Sequence, residues 1–323
     1  PAAGWSFMAA FITTLLGLVW LPLGQVLGWV SFALVKYILW VARTLTALPF
    51  HAVYFNNRIL IYWMLYSYIA FIGCAVTKDR RRKYAMAAVL SAMMLAVSVW
   101  LGDTGRYGVM NALALDVGQG ESVALWSGKE AALVDCGSSQ QKSIGEKVLV
   151  PYLKSQGVTR LDLAVMTHGD QDHMNGIRYL LEHPESGIRV GGLMMPEAGK
   201  DEIYGKMAEL AKKRDVPVFY AQKGDIWNNF PGKGMSMECL SPDGGTEFTD
   251  RNEESLVFRL TYGRFSMLLT GDMETSGEET LLTSGVLTPV TILKAGHHGS
   301  ATSSSEEFIE KLSPSVTILS YGR

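Results

Sequence analysis

Three stretches without a single charged side chain dominate the first third of the chain: residues 1–35, 59–77 and 84–102. A helix needs roughly 20 residues to cross a bilayer, so each is long enough to do so. Within the first stretch Pro22 and Gly24 interrupt the apolar run, and Lys36 and Arg43, seven residues apart, then share one helix face. The pattern predicts spans over about 7–24, 59–77 and 84–102, with 27–48 as an amphipathic helix in the interface, a depth that suits Trp29, Tyr37 and Trp40. A secretory signal would show a basic leader and a cleavage site, and neither is visible. The basic run from Lys78 to Lys83 faces the cytoplasm by the positive-inside rule. The next span then carries the chain outward, so the part beyond residue 103 is expected outside the cytoplasm. Starting at Pro1 and stopping at Arg323 just after a strand-like run, the sequence reads as part of something longer.

From Val109 onward the pattern changes to short apolar or alternating runs broken by Gly, Asp and Ser turns. Strand-like runs fall at 111–116, 122–127, 131–135, 161–166, 189–194, 255–261, 265–270, 290–294 and 315–320; helix-like stretches fall near 141–154, 174–182, 201–213, 275–283 and 304–312. Strands alternating with helices predict one layered α/β domain over 109–323.

Charge sharpens the boundary. Residues 1–103 carry 8 basic and 2 acidic groups, leaving 21 basic and 29 acidic groups for the rest. The second domain is thus acidic, which argues against holding nucleic acid on a broad basic face. The three cysteines, Cys74, Cys136 and Cys239, have no Cys-x-x-Cys spacing, which excludes a zinc finger or a disulfide framework. Buried free thiols are the expectation for Cys136 and Cys239.

Chemistry concentrates in Thr167-His168-Gly169-Asp170-Gln171-Asp172-His173, delivered into a loop by the apolar run 161–166. Two imidazoles and two carboxylates within six residues suit a pair of metal ions. Of the six histidines, two more, His297 and His298, follow another strand-like run between Gly296 and Gly299, while His51 and His183 read as incidental. Asp135 and Asp272 also end β-type runs; Asp272 is placed to bridge two ions and Asp135 to orient a ligand histidine.

These strings, with Leu115-Asp116-Val117-Gly118-Gln119-Gly120-Glu121-Ser122, Leu269 to Glu274, Lys294 to Ser300 and the terminal Ile318 to Arg323, resemble the ComEC family of DNA-internalisation proteins over nearly the whole sequence. In that family a polytopic competence domain precedes a metallo-β-lactamase-like domain. The resemblance implies a membrane α-helical N-terminal segment (1–103) followed by an α/β metallo-β-lactamase fold, a four-layer αββα sandwich. It implies that His168 and Asp170 serve one metal site, that Asp172 and His173 serve the other, and that Asp272 bridges. One of His297 and His298 completes the second site; His297 is favoured, with His298 facing the substrate phosphate. Asp170 replaces the usual second histidine of the superfamily motif, and the third histidine expected between the two clusters is missing. The cofactors are then two divalent ions, manganese favoured over zinc on ligand hardness.

Lys294 and the backbone N–H groups at Gly299 and Ser300 are expected to hold a phosphate, with Asp172, Asp272 and His298 beside the reacting group. Asp116, Gln119, Asp135 and Ser300 are expected behind the ligands or on the substrate side. The resulting expectation is a DNA-uptake component in a bilayer, with an extracytoplasmic nuclease acting on incoming DNA and single-stranded DNA and other competence proteins as partners. A catalytically silent guide or gate, and a phosphodiesterase of the cell envelope, stay open as alternatives.

Overall fold

The computed structural model describes residues 2–46, 57, 59–76, 80–104 and 108–322. The chain divides into two compact units, residues 1–53 and 54–323. In the first, α1 (Ala2–Val19) and α2 (Leu21–Thr46) pack side by side and turn at Trp20. The break therefore precedes Pro22, which stands in the first turn of α2, where a missing N–H leaves no bond unmade. The helices press together at glycine: a Cβ on Gly24 would lie 2.5 Å from Cα of Gly17. Small residues at such a crossing let backbones touch. Because α2 runs unbroken, Leu21–Leu45 is by length and composition able to cross a membrane. This differs from a span ending at 24 and a separate interfacial helix over 27–48, of which residues 47 and 48 lie outside the described residues.

In the second unit α3 (Ile59–Val76) and α4 (Arg80–Thr104) also pair. The Trp63 indole donates to the Ser91 carbonyl at 2.7 Å, and the hydroxyls of Ser67 and Ser91 meet at 2.6 Å. Arg82–Leu101 is the second helix long and apolar enough to cross a membrane, whereas Ile59–Cys74 is shorter. Lys78 and Asp79, in the basic run, lie outside the described residues, as does His51.

The rest of the chain builds a sandwich. Its strands are β1 (Asn111–Ala114), β2 (Ser122–Ser127), β3 (Glu130–Cys136), β4 (Arg160–Leu161), β5 (Leu163–Val165), β6 (Arg189–Val190) and β7 (Leu193–Pro196), then β8 (Val218–Ala221), β9 (Ile226–Asn228), β10 (Met235–Ser241), β11 (Val257–Tyr262), β12 (Phe265–Leu269), β13 (Ile292–Lys294) and β14 (Val316–Ile318). Its helices are α5 (Val150–Ser155), α6 (Gln171–Glu182), α7 (Glu202–Lys212), α8 (Thr275–Ser284) and α9 (Glu306–Leu312). One six-stranded sheet runs β1-β2-β3-β5-β7-β8 and the other β14-β13-β12-β11-β10-β9, with β4 and β6 as a separate pair.

Strand periodicity sorts side chains into three cores. Ala132 and Val134 of β3, with Val123 and Leu125 of β2, face Phe258, Leu260, Met267 and Leu269 of the other sheet. Their neighbours Ala131 and Leu133 turn to the opposite face, against Ile177 and Leu180 of α6 and Met207 of α7. On the far side Val257, Leu268 and Leu293 pack on Leu281 of α8 and Phe308 of α9. Three apolar seams between four layers are the αββα arrangement. Cys136 and Cys239 are buried free thiols, and burial pushes the pKa of both up to about 12.

Candidate metal centre

The site gathers where strands end. β3 ends at Asp135 and Cys136, β5 leads to Thr167 and His168, β12 to Asp272, and β13 to His297 and His298. The motif is only half a loop, because α6 begins at Gln171: the Asp170 backbone carbonyl accepts from the N–H groups of His173 and Met174, both at 3.1 Å. Asp172 and His173 therefore sit on the first helical turn. That turn is pressed against the end of β3, since a Cβ on Gly137 would lie 2.2 Å from the Asp172 carbonyl carbon.

Three imidazoles are oriented by hydrogen-bond partners at Nδ1, a pure acceptor for His173 and for His298. His173 Nδ1 donates to the buried Asp135 carboxylate at 2.8 Å. His298 Nδ1 donates to the Ser320 carbonyl at 3.1 Å. His168 Nδ1 lies 3.2 Å from Thr167 Oγ1, whose proton is committed to Asp135, and 3.3 Å from Ser255 Oγ. The Nε2 atoms of all three rings point inward. His173 Nε2 is 3.1 Å from Asp272 Oδ1, and His298 Nε2 is 3.4 Å from both Asp272 Oδ2 and His173 Nε2. His168 Nε2 is 3.9 Å from Asp272 Oδ2 and from Asp170 Oδ2, while Asp172 Oδ2 is 3.6 Å from His298 Nε2.

This arrangement fits divalent cations. Lone pairs on nitrogen and carboxylate oxygens repel one another unless a positive charge lies between them. One buried atom of the cluster, His168 Nε2, has no hydrogen-bond partner. Metal–ligand bonds of about 2.0–2.2 Å place two ligand atoms at most about 4.4 Å apart, and all of these separations satisfy that bound. A proton does part of the work meanwhile. Burial opposes a charge on His173, yet Asp272 and Asp135 outweigh it and raise the ring well above its ordinary value. Burial, with His173 alongside, depresses His168 to about 3. Burial works against the charge on Asp272, yet the combined pull of His173, His168 and His298 holds it well below the usual carboxylate range.

Asp135 supports His173 and Thr167 from behind at a left-handed φ of 54°, a strained conformation of the kind found at functional sites. His297 and His298 also take left-handed φ values, 44° and 56°. With that twist the two neighbouring rings part, against the expectation that His297 stands with the ligands. His298 joins the cluster, while His297 turns away to pair with Glu274 at 2.9 Å and to contact Thr302.

The expected phosphate cradle does not form. Lys294 is fully buried and donates to Glu121 Oε2 at 2.7 Å and to the Ala295 carbonyl, while the N–H groups of Gly299 and Ser300 bond to Gly296 and His297 carbonyls. The Ser300 hydroxyl meets Thr302. Asp116 is exposed and accepts from the Gly118 N–H in its own turn; Gln119 accepts from the Gly322 N–H at the rim.

Sequence reasoning missed Glu121. It groups with His173, Asp272 and His298, ligand atoms of the four lying within 4.8 Å of one another, and its buried Oε1 has no partner. Burial raises its pKa against the pull of Lys294. One oxygen of this carboxylate is held by Lys294 and the other is buried without a partner, beside the three cluster residues.

A four-layer αββα sandwich with histidines and aspartates at its strand ends defines a class, and the sequence agrees. Residues 115–323 match the Metallo-beta-lactamase superfamily, and the chain belongs to it. Its relatives include ComE operon protein 3 of Bacillus subtilis (33% identical over 227 residues, covering 65% of this chain and 28% of that one) and Competence protein ComA of Neisseria gonorrhoeae (33% over 208 residues, 64% and 26%). Recombination protein 2 of Haemophilus influenzae is 31% identical over 237 residues, covering 73% and 26%. The resemblance to the ComEC family thus holds, and the chain spans about a quarter of the length of these relatives.

Proposed function

We propose that the chain is part of a membrane channel for DNA uptake, and that its C-terminal domain is a dinuclear metal-dependent nuclease acting on incoming DNA. The observation that carries this reading is the convergence of three oriented Nε2 atoms on Asp272, with His168 Nε2 left unpartnered in a buried setting. The names of the relatives support the biological setting. His168 and Asp170 would hold one ion, Asp172, His173 and His298 the other, and Asp272 both. Two divalent ions lower the pKa of a bound water and stabilise charge on both sides of a displacement at phosphorus. They also add about four positive charges to an acidic domain, easing the approach of a polyanion.

The chain's own work is positioning. Asp135, Ser255 and Ser320 fix ring orientation, and the Glu121–Lys294 pair sets a charged floor under the centre. Oxygen ligands match imidazoles in number, which favours manganese over zinc. A silent guide or gate is the second reading, and the missing phosphate cradle favours it. The full chain in detergent, stripped of metal and assayed on single- and double-stranded DNA, separates the two: cleavage is expected with Mn²⁺ above that with Mg²⁺ or Zn²⁺. Zinc-only activity would refute the preference for manganese, and no cleavage with any ion would establish the silent reading.

We place the hydrolase domain outside the cytoplasm, the basic run 78–83 facing inward. A reporter fused after Gly102 should then behave as extracytoplasmic; cytoplasmic behaviour would invert the orientation.

A further inference from the structure

We propose that Arg251 is a positioning residue for the metal centre: it grips Asp170, the carboxylate standing where the superfamily motif has a histidine, and aims its free oxygen at the ion shared with His168. The proposal rests on the metal-centre reading of the site. Arg251 itself lies outside every motif that supplies a ligand.

A histidine ligand is aimed by the hydrogen bond its other ring nitrogen makes. A carboxylate has only its second oxygen for that purpose. Asp170 uses both: Oδ2 lies 3.9 Å from the unpartnered His168 Nε2, and Oδ1 accepts from Arg251 Nη1 at 3.1 Å. Arg251 is held in turn, its Nε donating to Asp201, the residue that opens α7. One guanidinium thus bridges two carboxylates through two of its edges, which a lysine ammonium on a flexible stem does not reproduce.

The backbone around Arg251 is anchored from both sides. The Tyr204 hydroxyl donates to Glu254 at 2.6 Å, tying the turn after Arg251 to α7. The Leu256 N–H donates to the Thr167 carbonyl, and the Ser255 hydroxyl accepts from the Asp272 N–H while contacting His168. The segment 251–256 is therefore a strap across the ligand loop, with Arg251 at its outer end and Ser255 between two ligands.

Calorimetric titration of Mn²⁺ into the metal-stripped chain in detergent tests the role without reference to activity. The wild type is expected to take up two ions. Arg251→Ala should weaken one of the two by about 10–100-fold, the range for groups that orient ligands, and leave the other unchanged. Arg251→Lys should recover only part of the loss, and Asp201→Asn should weaken the same site by less. In an Asp170→Asn background, Arg251→Ala should add nothing, because its effect passes through Asp170. The proposal is overturned if Arg251→Ala leaves both affinities at wild-type values, weakens both equally, or weakens binding further in the Asp170→Asn background. Unchanged ion affinities with a raised KM for DNA would make Arg251 a phosphate contact and overturn it equally. A wild-type chain that binds no ion would instead refute the metal-centre reading itself.

Discussion

Glu121, just before β2 of one sheet, and Lys294, at the end of β13 in the other, meet where neither has access to water. Two charges in such a setting hold each other, and removing one strands the other at a cost of about 3–5 kcal/mol, whereas replacing both by apolar groups is often neutral. Glu121→Leu or Lys294→Met alone should therefore lower the melting temperature of the domain by on the order of 10 °C. The double replacement should recover most of that while still weakening the metal centre. Melting curves of the three variants decide it: additive losses would show that the pair is not coupled. At this scale the spacing of His168, Asp170, Asp172 and His173 was legible because metal ligation imposes it locally. Glu121 was not, because an isolated acid after a glycine turn acquires meaning only when Lys294 arrives from another sheet. Nor was the choice between His297 and His298, which depends on two left-handed backbone angles that adjacency in sequence does not reveal.

Elements were legible in proportion to their periodicity. The runs at 122–127, 131–135 and 265–270 and the helices near 201–213 and 304–312 agree closely with β2, β3, β12, α7 and α9. β8, β9 and β10 went unseen: β9 has three residues, and the inward face of β10 is Met235, Met237 and Cys239, types that carry little strand preference. α6 starts three residues before its apolar pattern, because Asp170 opens the helix and the ligands occupy its first turn. Gly137 makes that docking possible. Gly137→Ala would drive a Cβ into the Asp172 backbone, so α6 must shift and carry Asp172 and His173 with it. The expected result is loss of the ion held by those two residues, with partial retention of the ion held by His168, read as stoichiometry by elemental analysis. Two ions retained at wild-type affinity would show that the contact yields without moving the ligands.

In the whole molecule, long apolar helices precede an acidic α/β domain, a difference that both the uncharged runs and the charge asymmetry of the sequence display. The helix breaks were less legible, since Pro22 reads as an interruption in sequence but serves as the first turn of α2. The central claim is that the domain works through two ions held together by one carboxylate. Asp272 lies within 4 Å of all three cluster imidazoles. Asp272→Asn keeps its size and removes its charge, so the most direct measurement is DNA cleavage in Mn²⁺ by this variant, with ion content determined on the same folded sample. The account predicts a loss of cleavage by orders of magnitude together with loss of at least one ion, while Asp116→Asn, altered only in its exposed turn, stays near wild type. An Asp272→Asn chain that keeps two ions and cleaves DNA at the wild-type rate would contradict it.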